Sequence, residues 1–289
     1  MAFGKNIRTW FEGRWHDGDI PVMKAADHGL WQGSSVFDGA RYFDGVAPDL
    51  AAHCERVNRS AEALMIEPTM GAQEMVALVR EGLRAYGPGQ AVYIRPMYWA
   101  LEGSELGVAP KIGPTGFAIC LEEVAMPDPG FATTLTRTRF RRPVLEDAVC
   151  NAKAGCLYPN NARMLVEAKQ KGFGNALVAD ALGNVAETAT ANVFLVRDGM
   201  VHTPVPNGTF LAGITRARHI ANLRADGVDV VESVLGFEDF HAADEVFLSG
   251  NFAKVTAVSQ FEDTFYKPGP MTRRVRDLYW DWALGEGRH

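Results

Sequence analysis

Lys153 lies in Asn151-Ala152-Lys153-Ala154-Gly155-Cys156-Leu157-Tyr158, where no neighbour offers a counter-charge. An amine that loses hydration without a partner gives up its proton more readily. The neutral amine can then attack a carbonyl and form a Schiff base. The alternative is a lysine whose ammonium snorkels to water from a short loop. What stands elsewhere in the chain decides between these readings.

Four other features bear on it. Gly213-Ile214-Thr215-Arg216 opens a helix after a glycine-containing loop. The free N–H groups and dipole of such a start suit a phosphate, and Thr215 adds a hydroxyl. Glu187 sits among small and apolar residues in Val185-Ala186-Glu187-Thr188-Ala189-Thr190-Ala191-Asn192. A buried carboxylate needs a cationic partner, which a protonated heterocyclic nitrogen or an arginine would supply. Arg56 is one position off an apolar helix stripe and could reach inward to a phosphate, or lie in water beside Glu55. Tyr93 and Arg95 fall on one face of a strand. An arginine on an otherwise apolar sheet face suggests carboxylate recognition, or else an inward salt bridge.

The elements that must position these groups are legible in outline. Thr9 to Trp15 reads as a hairpin around Glu12-Gly13, and Ser35 to Val46 as a strand pair turning at Asp44-Gly45. Residues 49–65 read as a helix with Leu50, Cys54, Val57, Ala61 and Leu64 as its buried stripe. Gln73 to Tyr86 reads as a second helix with Met75, Leu78, Val79 and Leu83 inward, stopping at Gly87-Pro88-Gly89. Ala91 to Tyr98 and Gly116 to Leu121 read as buried strands. Met126-Pro127-Asp128-Pro129-Gly130 is the best connector, which predicts domains at 1–126 and 134–289 joined by 127–133. Beyond it, Ala176 to Asp180 and Val185 to Thr188 flank Gly183-Asn184, and Asn192 to Arg197 and Met200 to Thr203 flank Asp198-Gly199. Helices are expected over 160–171, 216–225 and 272–283. Without a regular βαβ rhythm the fold class is α+β.

Composition excludes several classes. The chain has 289 residues, 47% hydrophobic and 22% charged, with a formal net charge of −6. It lacks the basic excess of a nucleic-acid or anionic-membrane surface. No stretch approaches a membrane span, and residues 1–14 hold no apolar run fit for a signal peptide. The four cysteines and seven histidines show no metal-ligand spacing, so a metal centre is not expected. Reduced thiols and a cytoplasmic setting are the expectation.

Taken together, the segments resemble the branched-chain aminotransferase family of fold-type IV pyridoxal-phosphate enzymes. The likeness runs through Trp10-Phe11-Glu12-Gly13, Ser35-Val36-Phe37-Asp38-Gly39-Ala40-Arg41, Tyr93-Ile94-Arg95-Pro96 and Ala152-Lys153-Ala154-Gly155. It continues through Glu187-Thr188-Ala189-Thr190-Ala191-Asn192-Val193-Phe194, Leu211-Ala212-Gly213-Ile214-Thr215-Arg216 and Asp244-Glu245-Val246-Phe247-Leu248-Ser249-Gly250. The resemblance implies a two-domain fold like that of D-amino-acid aminotransferase, with a smaller N-terminal α/β domain and a larger C-terminal α+β domain carrying Lys153. It implies that Lys153 holds pyridoxal phosphate as an imine and shuttles a proton between substrate Cα and cofactor C4′. Glu187 would stand against the pyridine nitrogen and Tyr158 near the phenolic oxygen. Arg56 and the N–H groups of Ile214 and Thr215 would cradle the phosphate, and Leu211 would pack on the ring. Arg95 would anchor a substrate carboxylate beside Tyr93, with Arg41 in support and Phe37 as pocket wall. Leu106-Gly107-Val108 resembles a loop inserted into a partner's site, which implies a homodimer.

Three places depart from that pattern. Gln32 stands where branched-chain enzymes usually have a tyrosine. Asn251 and Phe252 stand where threonine and alanine are common, Asn251 keeping an amide for the phosphate and Phe252 narrowing the pocket. Pro159-Asn160-Asn161 replaces an apolar continuation. The expected reaction is transfer of an amino group from a branched-chain or other apolar L-amino acid to a 2-oxo acid such as 2-oxoglutarate. D-amino-acid or (R)-amine transamination, or an aminodeoxychorismate-type lyase reaction, is the alternative on the same fold.

Overall fold

The computed structural model describes residues 4–267 and 269–285, which form two compact units. The first holds the described residues up to Met126 together with Ala152–Leu157. The second runs Pro127–Asn151 and Tyr158–Gly285.

In the first unit, β1 (Lys5–Phe11) and β2 (Arg14–Asp17) form the expected hairpin. Glu12 and Gly13 both take positive φ, 49° and 83°, as a two-residue turn between twisted strands requires. The unit also holds α1 (His28–Trp31), β3 (Ser35–Phe37), β4 (Ala40–Tyr42), α2 (Leu50–Ala63), α3 (Ala72–Leu83), β5 (Val92–Ala100) and β6 (Thr115–Glu123). Its sheet order is β2-β1-β6-β5-β3, with β4 also on β5, and every pairing is antiparallel. The predicted strand pair at 35–46 does not pair with itself. β3 and β4 lie in succession along β5, and Asp44-Gly45 closes only a bridge between Phe43 and Val46. The predicted α2 stripe is buried throughout, and α2 packs on β3 and β5. In α3, Met75, Val79 and Leu83 point inward as expected, and Val76 is buried while Leu78 is half-buried.

The second unit contains β7 (Ala132–Arg141), α4 (Tyr158–Gln170), β8 (Asn175–Ala179), β9 (Val185–Thr188), β10 (Asn192–Arg197) and β11 (Met200–Pro204). It continues with α5 (Ile214–Ala225), β12 (Val230–Ser233), α6 (Phe237–His241), β13 (Glu245–Gly250), β14 (Lys254–Phe261), β15 (Thr264–Phe265) and α7 (Pro270–Leu284). The sheet runs β12-β11-β10-β13-β14-β7-β8-β9, with β15 beside β14, and mixes parallel and antiparallel pairs. Both faces of its centre are covered. Val193 and Leu195 of β10 join Val246 and Leu248 of β13 in one apolar cluster. Phe194, Val196 and Phe247 enter another with Ile220 and Leu223 of α5 and Val275 of α7. Such strands read as continuous apolar runs rather than alternating ones.

Two boundaries differ from the sequence expectation. β7 begins at Ala132, inside the predicted connector 127–133, because Ala132 and Thr133 pair with β14. Lys153 was expected in the C-terminal domain, yet its segment packs with the first unit. Lys153 N–H donates to Ser60 Oγ at 3.0 Å, its carbonyl accepts from Phe37 N–H at 3.1 Å, and Ala154 bridges to Val36.

Candidate active site

The first unit places six of the predicted residues close to β3, β4 and β5. Lys153 is half-buried, with Nζ 5.0 Å from the centroid of the Phe37 ring. The ring gives the amine an apolar neighbour with a weakly attractive face. One residue on, Asp38 is fully buried and grips Arg56 with both oxygens, at 2.6 Å to Nε and 2.8 Å to Nη2. Asp38 Oδ1 also meets His53 Nδ1 at 2.7 Å. Burial alone would raise the Asp38 carboxyl. The Arg56 charge, then that of His53, and their hydrogen bonds hold it well below the usual carboxylate range. Arg56 is therefore buried and aimed, and Glu55 pairs instead with Arg59 at 3.8 Å.

Tyr93 and Arg95 share a face of β5 as expected, with the Arg95 guanidinium 5.2 Å from the Tyr93 ring centroid. Arg95 Nη1 donates to Glu122 at 2.5 Å, and Glu122 is buried. The carboxylate that Arg95 holds here belongs to this chain, so the inward salt bridge is formed. Arg41 lies opposite Tyr93 in the β4–β5 register and is fully buried. Its Nη2 donates to Val124 O at 2.7 Å, beside Met126 Sδ at 3.0 Å. Burial pulls the Arg41 guanidinium down to about 10, against the nearby Tyr93, which favours its charge. Gly39 leaves room for the Tyr93 phenol, since a Cβ there would stand 2.1 Å from its oxygen. Gln32 is exposed and ends α1, its N–H bonded to His28 O at 2.9 Å.

The second unit gathers the other predicted residues. Glu187 is the penultimate residue of β9, with Oε1 3.1 Å from Arg142 Nε and Oε2 accepting from Asn192 Nδ2 at 3.3 Å. Arg142 is itself buried. It donates to Asn161 Oδ1 at 2.6 Å and to the carbonyl of Thr188 at 2.9 Å. Asn192 also donates to Leu211 O at 3.4 Å, and it fills the space that Gly213 leaves: a Cβ on Gly213 would stand 2.1 Å from Asn192 Oδ1. Gly213 is the N-cap of α5 and provides no side-chain cap, so the first N–H groups of α5 are open to an outside acceptor. Thr215 is buried in that first turn. Asn192 pairs with Ser249 across β10 and β13. Ser249 Oγ and Asn251 Nδ2 are buried with no hydrogen-bond partner among the described residues. Buried donors without partners call for a ligand. Together with the open end of α5 they fit a phosphate group, and Glu187 fits a basic ring nitrogen. Tyr158 begins α4 and Phe252 follows Asn251, both exposed.

Sequence reading missed Asp38, His53, Arg142 and Asn192 as parts of this arrangement. A signal was present for one of them. His53 and Arg56 are three apart on α2 and so face one side, where a carboxylate could bind both. Arg142 gave no such sign within its basic run Arg139-Phe140-Arg141-Arg142. Among the described residues no His, Cys, Asp and Glu group could hold a metal ion, and no helix is long and apolar enough to cross a membrane.

Comparisons with known proteins agree with this geometry. The amino-transferase class IV family matches residues 35–261. The branched-chain-amino-acid aminotransferase of Escherichia coli K12 is 29% identical over 304 residues, covering 99% of this chain and 96% of that protein. The crystal structure of an aminotransferase from Brucella abortus bound to the co-factor PLP is 55% identical and superposes with a TM-score of 0.96, covering 97% of this chain and all of that one. The branched-chain aminotransferase from Thermoproteus uzoniensis with norvaline is 27% identical, with a TM-score of 0.87 over 96% of this chain and 95% of that one. With its family pattern, its full-length relatives and its fold in agreement, the chain belongs to the class IV aminotransferases.

Proposed function

We propose that this enzyme binds pyridoxal phosphate and moves the amino group of a branched-chain or other apolar L-amino acid to a 2-oxo acid, with 2-oxoglutarate as the expected acceptor. The observation that carries the cofactor reading is Asn192. It touches the carboxylate of Glu187 on one side and the start of α5 on the other. One side chain thus links a partner for a basic ring nitrogen to a set of phosphate donors.

The cofactor supplies an electron-accepting ring for the charge left when the Cα proton departs. Lys153 Nζ takes that proton and returns it on the other half of the reaction. Arg142 sets a positive charge behind Glu187, and Glu187 would face the ring nitrogen from that position. Arg56, Thr215, Asn251 and the N–H groups of Ile214 and Thr215 would hold the phosphate, Leu211 would cover the ring and Tyr158 would serve its phenolic oxygen. Phe37 forms apolar wall, Tyr93 and Arg95 hold the substrate carboxylate with Arg41 behind them, and Gln32 and Phe252 shape the side-chain space.

A homodimer in the cytoplasm is part of this reading. Leu30, Trp31, Leu106, Val108 and Ile112 of the first unit are large, apolar and more than half exposed, which suits coverage by a second copy. The four cysteines are unpaired, which suits a reducing compartment. The Arg95–Glu122 pair favours a second reading. An arginine already facing a buried carboxylate leaves room for D-amino-acid, (R)-amine or lyase chemistry, in which that anchor is used differently. A panel of L- and D-amino acids and (R)-amines against several 2-oxo acids separates the two. Transfer from L-leucine, L-valine or L-isoleucine supports the first. Transfer from D-amino acids or (R)-amines only, or release of pyruvate without amino transfer, rejects it.

A further inference from the structure

Lys254 opens β14 in an unusual state. It is 1% exposed, and its φ of 64° lies in the left-handed region that a side chain with a Cβ rarely adopts. It closes the tight connection from β13, pairing with Gly250 across residues 251–253. A glycine or asparagine would be the ordinary choice at such a position. A buried lysine held there points to work for its side chain.

That side chain reaches Asn251. Lys254 Nζ donates to Asn251 Oδ1 at 2.6 Å. An ammonium offers only donors, so it selects the oxygen of an amide and leaves the N–H edge for another acceptor. Asn251 Nδ2 is buried and has no hydrogen-bond partner among the described residues, and neither has Ser249 Oγ two residues earlier. The same lysine is tied to the helix that starts the phosphate site. Its carbonyl lies 3.1 Å from His219 Nε2 on α5. His219 stands four residues after Thr215, on the same helix face.

We infer that Lys254 is a positioning residue that sets the polarity of the Asn251 amide, so that its N–H edge, with the Ser249 hydroxyl, faces the cofactor phosphate at the start of α5. The inference rests on the cofactor reading above. A threonine hydroxyl can turn to suit its acceptor, whereas an amide presents a donor only when something holds its oxygen. Lys254 is what makes Asn251 a phosphate ligand rather than a two-way amide.

The test compares cofactor binding with and without the phosphate. The purified holoenzyme is dialysed free of cofactor and titrated with pyridoxal phosphate or with pyridoxal, following the cofactor absorbance. In Lys254→Met the Kd for pyridoxal phosphate should rise about ten-fold, the scale of one hydrogen bond to a charged group, while that for pyridoxal holds. Lys254→Arg, again a donor only, should restore most of the loss. Asn251→Asp keeps an oxygen for Lys254 but removes the N–H edge. It should raise the pyridoxal phosphate Kd, spare pyridoxal and keep the melting temperature, which makes the test independent of how well Lys254→Met folds. Equal losses for both ligands, or no change in either variant, overturn the inference while leaving the cofactor reading intact. A wild-type chain that binds neither ligand overturns both.

Discussion

Asp38 clamps Arg56 through two parallel hydrogen bonds inside the first unit, and His53 closes the other side of the same carboxylate. Such fork-to-carboxylate pairs fix direction as well as charge. The pair gives Arg56 a single aim from the boundary of the α2 stripe. Removing one partner of a buried pair leaves the other uncompensated. Asp38→Asn should therefore lower stability by roughly 3 kcal/mol in urea unfolding and weaken cofactor retention.

The same carboxylate makes an acid-limb prediction. Its folded pKa is held below the unfolded value, so its contribution is fully present above the ordinary aspartate range, near pH 4. It is lost progressively as pH falls from there toward the folded value. The urea midpoint of the wild type should drop on acidification below about pH 4, and the Asp38→Asn profile should be flatter over that window. Parallel profiles would show that another group governs the acid limb.

Arg142 carries a prediction of its own, because it supplies the charge opposite Glu187 and ties that strand end to Asn161. Arg142→Met should lower kcat by about ten-fold or more, roughly 1.4 kcal/mol in the barrier, with a smaller effect on substrate KM. Steady-state kinetics with a saturating apolar amino acid reads this. A change confined to KM would place Arg142 outside the proton chemistry.

The close fit of Gly39 and Tyr93 can be probed by a single methyl. Gly39→Ala puts a carbon where the Tyr93 phenol stands, and the ring must move. Displacement within a packed site costs about 1–3 kcal/mol. Substrate KM should rise while pyridoxal phosphate affinity is unchanged. A loss of cofactor affinity instead would reassign Tyr93.

How much of this was legible in the sequence depends on whether the signal was local. Turns at Glu12-Gly13 and Asp198-Gly199 and the stripe of α2 follow from spacing alone, and they form where expected. The 35–46 segment has the composition of a hairpin, yet its strands prefer β5, since nothing local excludes a third strand as partner. β7 is an interior strand of its sheet whose partners, β14 and β8, lie far along the chain, so the connector was drawn two residues too long. At the site, Lys153 and Glu187 stand out because polar groups among small apolar neighbours are costly. Their supports, Arg142, Asn192 and Asp38, look ordinary in sequence and gain meaning only from contacts across 5 to 45 positions.

Arg95 and Glu122 offer a test of acceptor binding. The buried carboxylate of Glu122 already balances Arg95, so a second carboxylate must bind beside a like charge. Glu122→Gln should lower the KM for 2-oxoglutarate and for pyruvate alike, since both carry the carboxylate that Arg95 would hold. Arg95→Ala should damage substrate use more than cofactor binding. If Arg95→Ala loses the cofactor instead, its role as a substrate anchor is wrong.

The central claim is that Lys153 carries the cofactor, and borohydride reduction tests it most directly. The purified yellow protein is reduced, digested and mapped by mass spectrometry. The account predicts one pyridoxyl phosphate adduct, on Lys153, and none in Lys153→Ala. A colourless protein that takes up no pyridoxal phosphate, or an adduct on another lysine with Lys153 unmodified, would contradict it.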